Sequence, residues 1–173
     1  VSSELQEYLI IDGSLFKNLP SNQKELAVDK GELKHDQLET IEIESFQLSP
    51  DNTKILLFTR GGISAYVLYY KNITTNEITF LDFGEEALWS PNNRYIAFTR
   101  RPTDVGPLYL FVFDTLLNEN IEIIYTKDKI YTGYKRLAWS STSDAITAQY
   151  ETRDDIPYGN IIDKGETKIM LKL

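Results

Sequence analysis

Cysteine is absent from the 173 residues. That excludes disulfides, thiolate nucleophiles and thiolate metal sites. Histidine is nearly absent: the single one is His35, in the polar stretch Leu33-Lys34-His35-Asp36. Serine–histidine–aspartate chemistry would have to pass through it, and the expected reading is an exposed loop histidine. No Gly-x-Ser-x-Gly elbow occurs, because the residue two after Ser64 in Gly61-Gly62-Ile63-Ser64-Ala65 is Tyr66. Apolar runs stay short of the roughly 18 residues that a membrane span needs. The start, Val1-Ser2-Ser3, carries no signal peptide and no initiator methionine, and reads as a trimmed or processed product. Positive charge is scarce: 18 Lys and Arg face 26 Asp and Glu, a net charge of −8. Nucleic acid and anionic lipid both recruit basic patches, so neither is an expected partner.

What is present favours strands. The chain holds 11 Tyr and 8 Phe, and aromatic and β-branched residues suit a pleated, half-buried surface. The stretch Leu88-Trp89-Ser90-Pro91-Asn92-Asn93-Arg94-Tyr95-Ile96-Ala97-Phe98-Thr99-Arg100 reads as strand, tight polar turn, strand. It has two relatives, Leu48 to Arg60 and Ala138 to Tyr150. Ser49 and Ser90 lie 41 positions apart, and Ser90 and Ser140 lie 50 apart. A period of this size points to one supersecondary unit used repeatedly, most often the four-stranded propeller blade. The expected fold is therefore all-β: propeller-like blades of four antiparallel strands, with three repeats and an irregular N-terminal unit. A single domain is expected over residues 1–173, divided into irregular strands at 1–45 and repeats at 46–86, 87–135 and 136–173.

In order along the chain, Glu7 to Asp12 reads as a strand and Ser14 to Pro20 as its return, while Glu4 to Leu9 has the makings of one helical turn. Asp29-Lys30-Gly31 reads as a hairpin turn. Thr40 to Leu48 alternates cleanly between apolar and polar. Lys54 to Thr59 is mostly apolar, as a strand covered on both faces should be. In the third repeat, Asn160 to Asp163 and Thr167 to Leu173 read as two separate strands, and Thr126 to Lys135 as an inserted segment.

The pattern Trp/Leu-Ser-Pro-Asx-Asn followed by a strand ending in Phe-Thr-Arg resembles the WD40-like (PD40) repeat of TolB-type β-propellers. A looser resemblance is to the propeller domains of prolyl oligopeptidases and dipeptidyl peptidases. The residues that carry it are Leu48 to Phe58 and Leu88 to Phe98, with a degenerate copy at Ala138 to Ala148 where Ser141 replaces the proline and Ala148 the phenylalanine. The resemblance implies a partial, small or oligomer-completed propeller. A fold of this kind leaves function open.

Several groups are candidates for chemistry. Glu85-Glu86 echoes the glutamate pair with which dipeptidyl peptidases hold a substrate's amino terminus, although it lies in an inter-blade connection. Asp154-Asp155 with Tyr158, Asn160 and Asp163 offers oxygen ligands without EF-hand spacing. No catalytic, cofactor-binding or metal site is assigned, and no cofactor is expected. The candidate partner surface comprises Tyr66, Tyr69, Tyr109, Tyr131, Tyr134, Arg100 and Arg101, because Tyr and Arg are enriched where proteins bind proteins. Tyr70 and Tyr125 extend the tyrosine excess. The expected function is a non-enzymatic protein- or peptide-binding or scaffolding module, periplasmic or extracellular, with self-association as a further expectation. The alternative is the accessory propeller of a prolyl-oligopeptidase- or dipeptidyl-peptidase-type hydrolase.

Overall fold

The computed structural model describes residues 7–20, 22–62, 65–101, 106–122, 131–155 and 159–171. They form four antiparallel sheets in which each strand pairs with its neighbour in sequence. The first holds β1 (Tyr8–Ile11), β2 (Ser14–Asn18) and β3 (Lys24–Val28). The second holds β4 (Ile41–Leu48), β5 (Lys54–Gly61), β6 (Ala65–Asn72) and β7 (Ile78–Phe83). The third holds β8 (Glu86–Trp89), β9 (Tyr95–Arg100), β10 (Tyr109–Asp114) and β11 (Glu119–Glu122). The fourth holds β12 (Thr132–Trp139), β13 (Ala145–Arg153) and β14 (Ile161–Met170). The fold is all-β and propeller-like, as the repeat implied. Among the described residues, the first and last sheets have three strands rather than four.

The sheets stack face to face, and each of the three interfaces has its own core. Strand β5 shows why its centre, Ile55 to Phe58, is a continuous apolar run. Ile55 and Leu57 join Val67, Tyr69, Leu15 and Val28 against the first sheet, while Leu56 joins Leu68, Ile96 and Phe98 toward the third. Successive side chains at the centre of the strand serve opposite interfaces, so neither face there is left for polar residues. The last interface gathers Ala97, Leu110 and Val112 against Leu137, Ile146 and Ala148. Each fully buried aliphatic side chain contributes about 1.5–3 kcal/mol.

The Ser-Pro turns are the joints of this stack. Ser49, Ser90 and Ser140 each donate their N–H to a carbonyl five residues on, at 2.9, 2.8 and 2.9 Å. Each serine Oγ also accepts from that residue's N–H, at 2.9 Å from Lys54, 2.9 Å from Tyr95 and 3.1 Å from Ala145. The fourth turn residue is left-handed in all three: Asn52 at φ 58°, Asn93 at 62° and Ser143 at 60°. The third turn keeps this shape without its proline; its serine Oγ donates to Asp144 Oδ1 at 2.7 Å, as Ser49 Oγ does to Asp51 Oδ1 at 2.6 Å and Ser90 Oγ to Asn92 Oδ1 at 2.7 Å.

Four local expectations are corrected. Asp29-Lys30-Gly31 does not reverse the chain as a hairpin; Lys30–Glu32 is a 3-10 turn capped by Asp29, whose Oδ1 accepts from Gly31 N at 2.7 Å. Tyr8 and Leu9 are extended and paired with Lys17 and Phe16, not helical. Thr132 to Lys135 already belongs to β12 rather than to an insertion. The two short strands expected after Asn160 are one continuous strand, β14. Gly165 does not break it, because the glycine lies beneath the Tyr150 ring, where a Cβ would come within 3.3 Å of Cε1.

Candidate functional site

All sheets point the same way, so the loops collect at two ends. One end carries the Ser-Pro turns. The other carries the strand ends Arg60 and Arg100 and the strand starts at Tyr66, Tyr109 and Tyr131. This Arg-Tyr end is the candidate partner surface.

Tyr66 is its most open aromatic residue, 45% exposed. Arg60 lies opposite it across the β5–β6 pair, with its guanidinium carbon 5.8 Å from the ring centroid, and also reaches Glu44 at 3.4 Å. The next blade repeats the theme with different partners. Arg100 reaches back to Asp82 of the preceding blade at 2.7 Å and lies over the Phe111 ring at 5.9 Å. Asp82 is buried, and burial pushes its carboxyl above the ordinary value despite the Phe83 N–H and the Arg100 guanidinium that favour the charged form. Arg101 contacts Glu85 at 3.3 Å and donates to the Gly106 carbonyl at 3.0 Å.

The tyrosines divide. Tyr66 is exposed, and Tyr109 and Tyr131 are half-buried. Tyr69 and Tyr134 are corrected: both lie in the cores and present no partner surface. Tyr69 OH donates to the Lys34 carbonyl at 3.1 Å, and burial pushes its phenol up to about 12. Tyr134 N donates to Leu108 O at 2.7 Å, locking the last sheet to the third. Tyr70 is likewise a core residue, and Tyr125 lies outside the described residues. Alternation along β6 separates Tyr66 from Tyr69, a signal the sequence carried. What it lacked was which face meets another sheet.

The acidic pair is structural. Glu85 meets Arg101, and Glu86 accepts the backbone N–H groups of Arg136 and Leu137, both at 2.8 Å. Arg136 sits at φ 54°, where β12 breaks register against β13. Glu86 therefore satisfies two donors that this bulge leaves without a ladder partner. Asp154, Asp155, Asn160 and Asp163 do not converge. Asn160 Nδ2 donates to Asp154 Oδ2 at 3.4 Å, whereas Asp163 Oδ2 accepts from Tyr150 OH at 3.3 Å, and Tyr158 lies outside the described residues. Among the described residues no three His, Cys, Asp or Glu side chains gather as a metal set.

A second concave feature lies beside this end. The segment from Lys30 to Glu42 encloses a cavity of about 510 Å³, floored by Leu33, Leu38 and Ile41 and rimmed by Lys30, Asp36 and Glu39. Three contacts fix the segment. Leu38 fills the space where a Cβ on Gly61 would sit. Tyr69 holds the Lys34 carbonyl. His35 is wedged between Phe80 and Phe83 at 5.0 and 4.9 Å, and its Nδ1 accepts from Gln37 N at 3.3 Å. The histidine thus anchors a loop, half-buried rather than solvent-exposed as expected.

No protein-family model and no curated protein matches the sequence. Solved structures do. A protein assigned as a conserved lipoprotein from Clostridium novyi NT superposes at a TM-score of 0.54 with 15% identity, covering 75% of this chain and 88% of that one. Prolyl oligopeptidase B from Galerina marginata superposes at 0.59 with 11% identity, covering 92% of this chain. The tricorn protease superposes at 0.61 with 9% identity, covering 95% of this chain. The chain spans 27% of the oligopeptidase and 16% of the tricorn protease. At these identities the likeness is one of fold: the stacked, propeller-like sheets.

Proposed function

We propose that the chain is a non-enzymatic module that binds a protein or peptide, or scaffolds an assembly, through the Arg-Tyr end of its stack. The observation that carries this reading is Tyr66, an open aromatic ring backed by Arg60 on a rigid strand pair. Tyr and Arg give interfaces much of their energy, because a flat amphipathic ring and a planar cation lose little freedom on binding. Arg101, Tyr109 and Tyr131 extend the same end, whereas Arg100 is engaged by Asp82. A setting outside the cytoplasm, periplasmic or extracellular, belongs to this reading; the cysteine-free sequence and the fold shared with the lipoprotein support it.

The test is selection from a displayed random-peptide library, followed by titration of the selected peptide. Tyr66→Ala and Arg101→Ala should each weaken binding about tenfold or more, the scale of one lost interface anchor. Recovery of no peptide, or a peptide indifferent to both changes, overturns the proposal.

A second reading starts from fold likeness alone: 92% of the chain fits onto prolyl oligopeptidase B. It makes the chain the accessory propeller of a hydrolase whose catalytic domain lies elsewhere. An α/β-hydrolase reading frame beyond Leu173 in the parent gene supports that, and a stop codon there removes it.

A further inference from the structure

In the second and third sheets the third strand is flanked on its outer side by a fourth, β7 along β6 and β11 along β10. β14 holds the same third place in the last sheet, and among the described residues nothing pairs with its outer edge. It is 10 residues long, and its ladder with β13 is regular from Asp163 to Met170. Ile161 and Ile162 are exposed at one end of it and Met170 at the other. A long, regular edge with open N–H and C=O groups is a template for a further strand.

The charges on β14 say which strand fits. Ile146 and Ala148 face the core, so Ile169 and Thr167 beside them face inward, and Lys164, Glu166 and Lys168 face out. Glu151, the neighbour of Lys164 on β13, is taken by Lys135 at 2.6 Å and Arg153 at 3.9 Å. Among the described residues none of Lys164, Glu166 and Lys168 has an ion-pair partner. Lysines alone on an edge keep a copy away. Here Glu166 stands between them, and the row plus, minus, plus can complement itself when it meets itself reversed.

We infer that the outer edge of β14 is a self-association site, and that its occupant is β14 of a second copy, running antiparallel. A two-fold axis between antiparallel strands sets one residue opposite its own copy. With Gly165 in that place, Lys164 of each copy faces Glu166 of the other, twice, and nearly the whole strand overlaps. With Glu166 there, two glutamates meet and Lys164 faces Lys168, so like charges meet throughout. With Thr167 there, Glu166 faces Lys168 but Asp163 to Lys164 run past the end of the other strand. The Gly165 register therefore joins the best charge match to the longest ladder, and the assembly closes at two chains. Tyr66 lies in the second sheet, so this association and peptide binding separate.

The experiment is sedimentation equilibrium on the full chain, with oxidative cross-linking as a second readout. The expected result is a reversible dimer. Lys164→Glu and Glu166→Lys, both at exposed positions, each set like charges opposite one another twice and should raise the dimer dissociation constant about tenfold or more. Mixed together, the two variants should form a heterodimer, because each carries the charges that the other lacks. Facing Cα atoms in an antiparallel pair lie about 4.5–5.5 Å apart, within disulfide reach. An equimolar mixture of Lys164→Cys and Glu166→Cys chains should therefore cross-link one to the other in this cysteine-free background. A monomer at all concentrations, a dimer unmoved by either charge reversal, or reversed variants that stay apart when mixed would each overturn the inference. Peptide binding through Tyr66 should survive both reversals, so failure here leaves that reading standing.

Discussion

The side chain of Asn93 reaches back one blade and accepts a hydrogen bond from the backbone N–H of Asp51 at 2.9 Å. The next blade repeats the link, with Ser143 Oγ accepting from Asn92 N at 3.1 Å. In both cases the left-handed residue of one turn holds the residue before it in the preceding turn. The indoles run beside them: Trp89 Nε1 donates to Gln47 O at 3.4 Å, and Trp139 Nε1 to Leu88 O at 3.2 Å. The repeat thus encodes the joint between blades as well as the blade.

That joint sets the first prediction. Asn93→Gly keeps the positive φ and loses only the bond to Asp51, a cost of about 0.5–1.5 kcal/mol. Asn93→Ala loses the bond and also carries the left-handed penalty of about 1–2 kcal/mol. Urea unfolding should therefore rank wild type above Asn93→Gly above Asn93→Ala. Equal stabilities for the two variants would mean that the left-handed conformation carries no penalty here, and that the joint, not the turn, is what Asn93 serves.

Asp82 and Asp114 should respond to pH with opposite sign. Asp114 is buried at the end of β10, and burial alone would raise its carboxyl. Arg94, at 2.7 Å, and the N–H groups of Leu116 and Leu117 outweigh that and hold it below the ordinary value. Its stabilisation is present above the unfolded carboxyl value of about 3.9 and is lost as pH falls through the lower folded value. Asp82 is raised by burial, so its contribution is favourable below about 3.9 and is lost as pH rises through the higher folded value. At pH 7 Asp114→Asn should cost about 1.5–3 kcal/mol, reduced by the half-exposed Arg94, whereas Asp82→Asn should be nearly neutral. At pH 3 the Asp114→Asn deficit should shrink. Denaturant melts at the two pH values check both, and a large loss at pH 7 for Asp82→Asn would show that the Arg100 pair outweighs burial.

Much of this was legible in the sequence because it is local. The alternation in Ile41 to Leu48, the continuous apolar run in β5 and the Ser-Pro-Asx-Asn turns each depend on neighbours within a few residues. The parts that were not legible depend on contacts between sheets. Tyr69 and Tyr66 are three residues apart and equally aromatic, yet only one meets the first sheet. Glu86 looks like half of a solvated acidic pair until the bulge at Arg136, 50 residues later, presents two unpaired N–H groups to it. Asp144 takes, from two residues further along, the serine hydroxyl bond that Asp51 and Asn92 accept in the other two turns, a shift that no repeat alignment shows.

Glu86 yields a third prediction from that contact. Glu86→Gln keeps one acceptor oxygen for the two bulge donors, while Glu86→Ala strands both. Glu86→Ala should cost about 1–3 kcal/mol, and Glu86→Gln less. Hydrogen exchange should locate the loss at Arg136 and Leu137. Unchanged protection there in Glu86→Ala would mean that water replaces the carboxylate without penalty.

Thr99 gives the last prediction, and its sign is opposite. In the second sheet Thr59 Oγ1 donates to Val67 O at 2.8 Å across the β5–β6 pair. Thr99, fully buried in the third sheet and one place before the repeat equivalent of Thr59, differs: its Oγ1 has no hydrogen-bond partner among the described residues. Its neighbours in that core are Ala97 and Leu110, so the hydroxyl is dehydrated without compensation. Replacing it with a methyl of the same shape removes that penalty, which for an unpaired buried hydroxyl is about 1–3 kcal/mol. Thr99→Val should therefore be neutral or stabilising, whereas Thr59→Val should destabilise by about 0.5–1.5 kcal/mol through the stranded Val67 carbonyl. Thermal unfolding of the two variants side by side decides it. A destabilised Thr99→Val would mean that the hydroxyl has a partner in solution, most simply an ordered water between the third and fourth sheets.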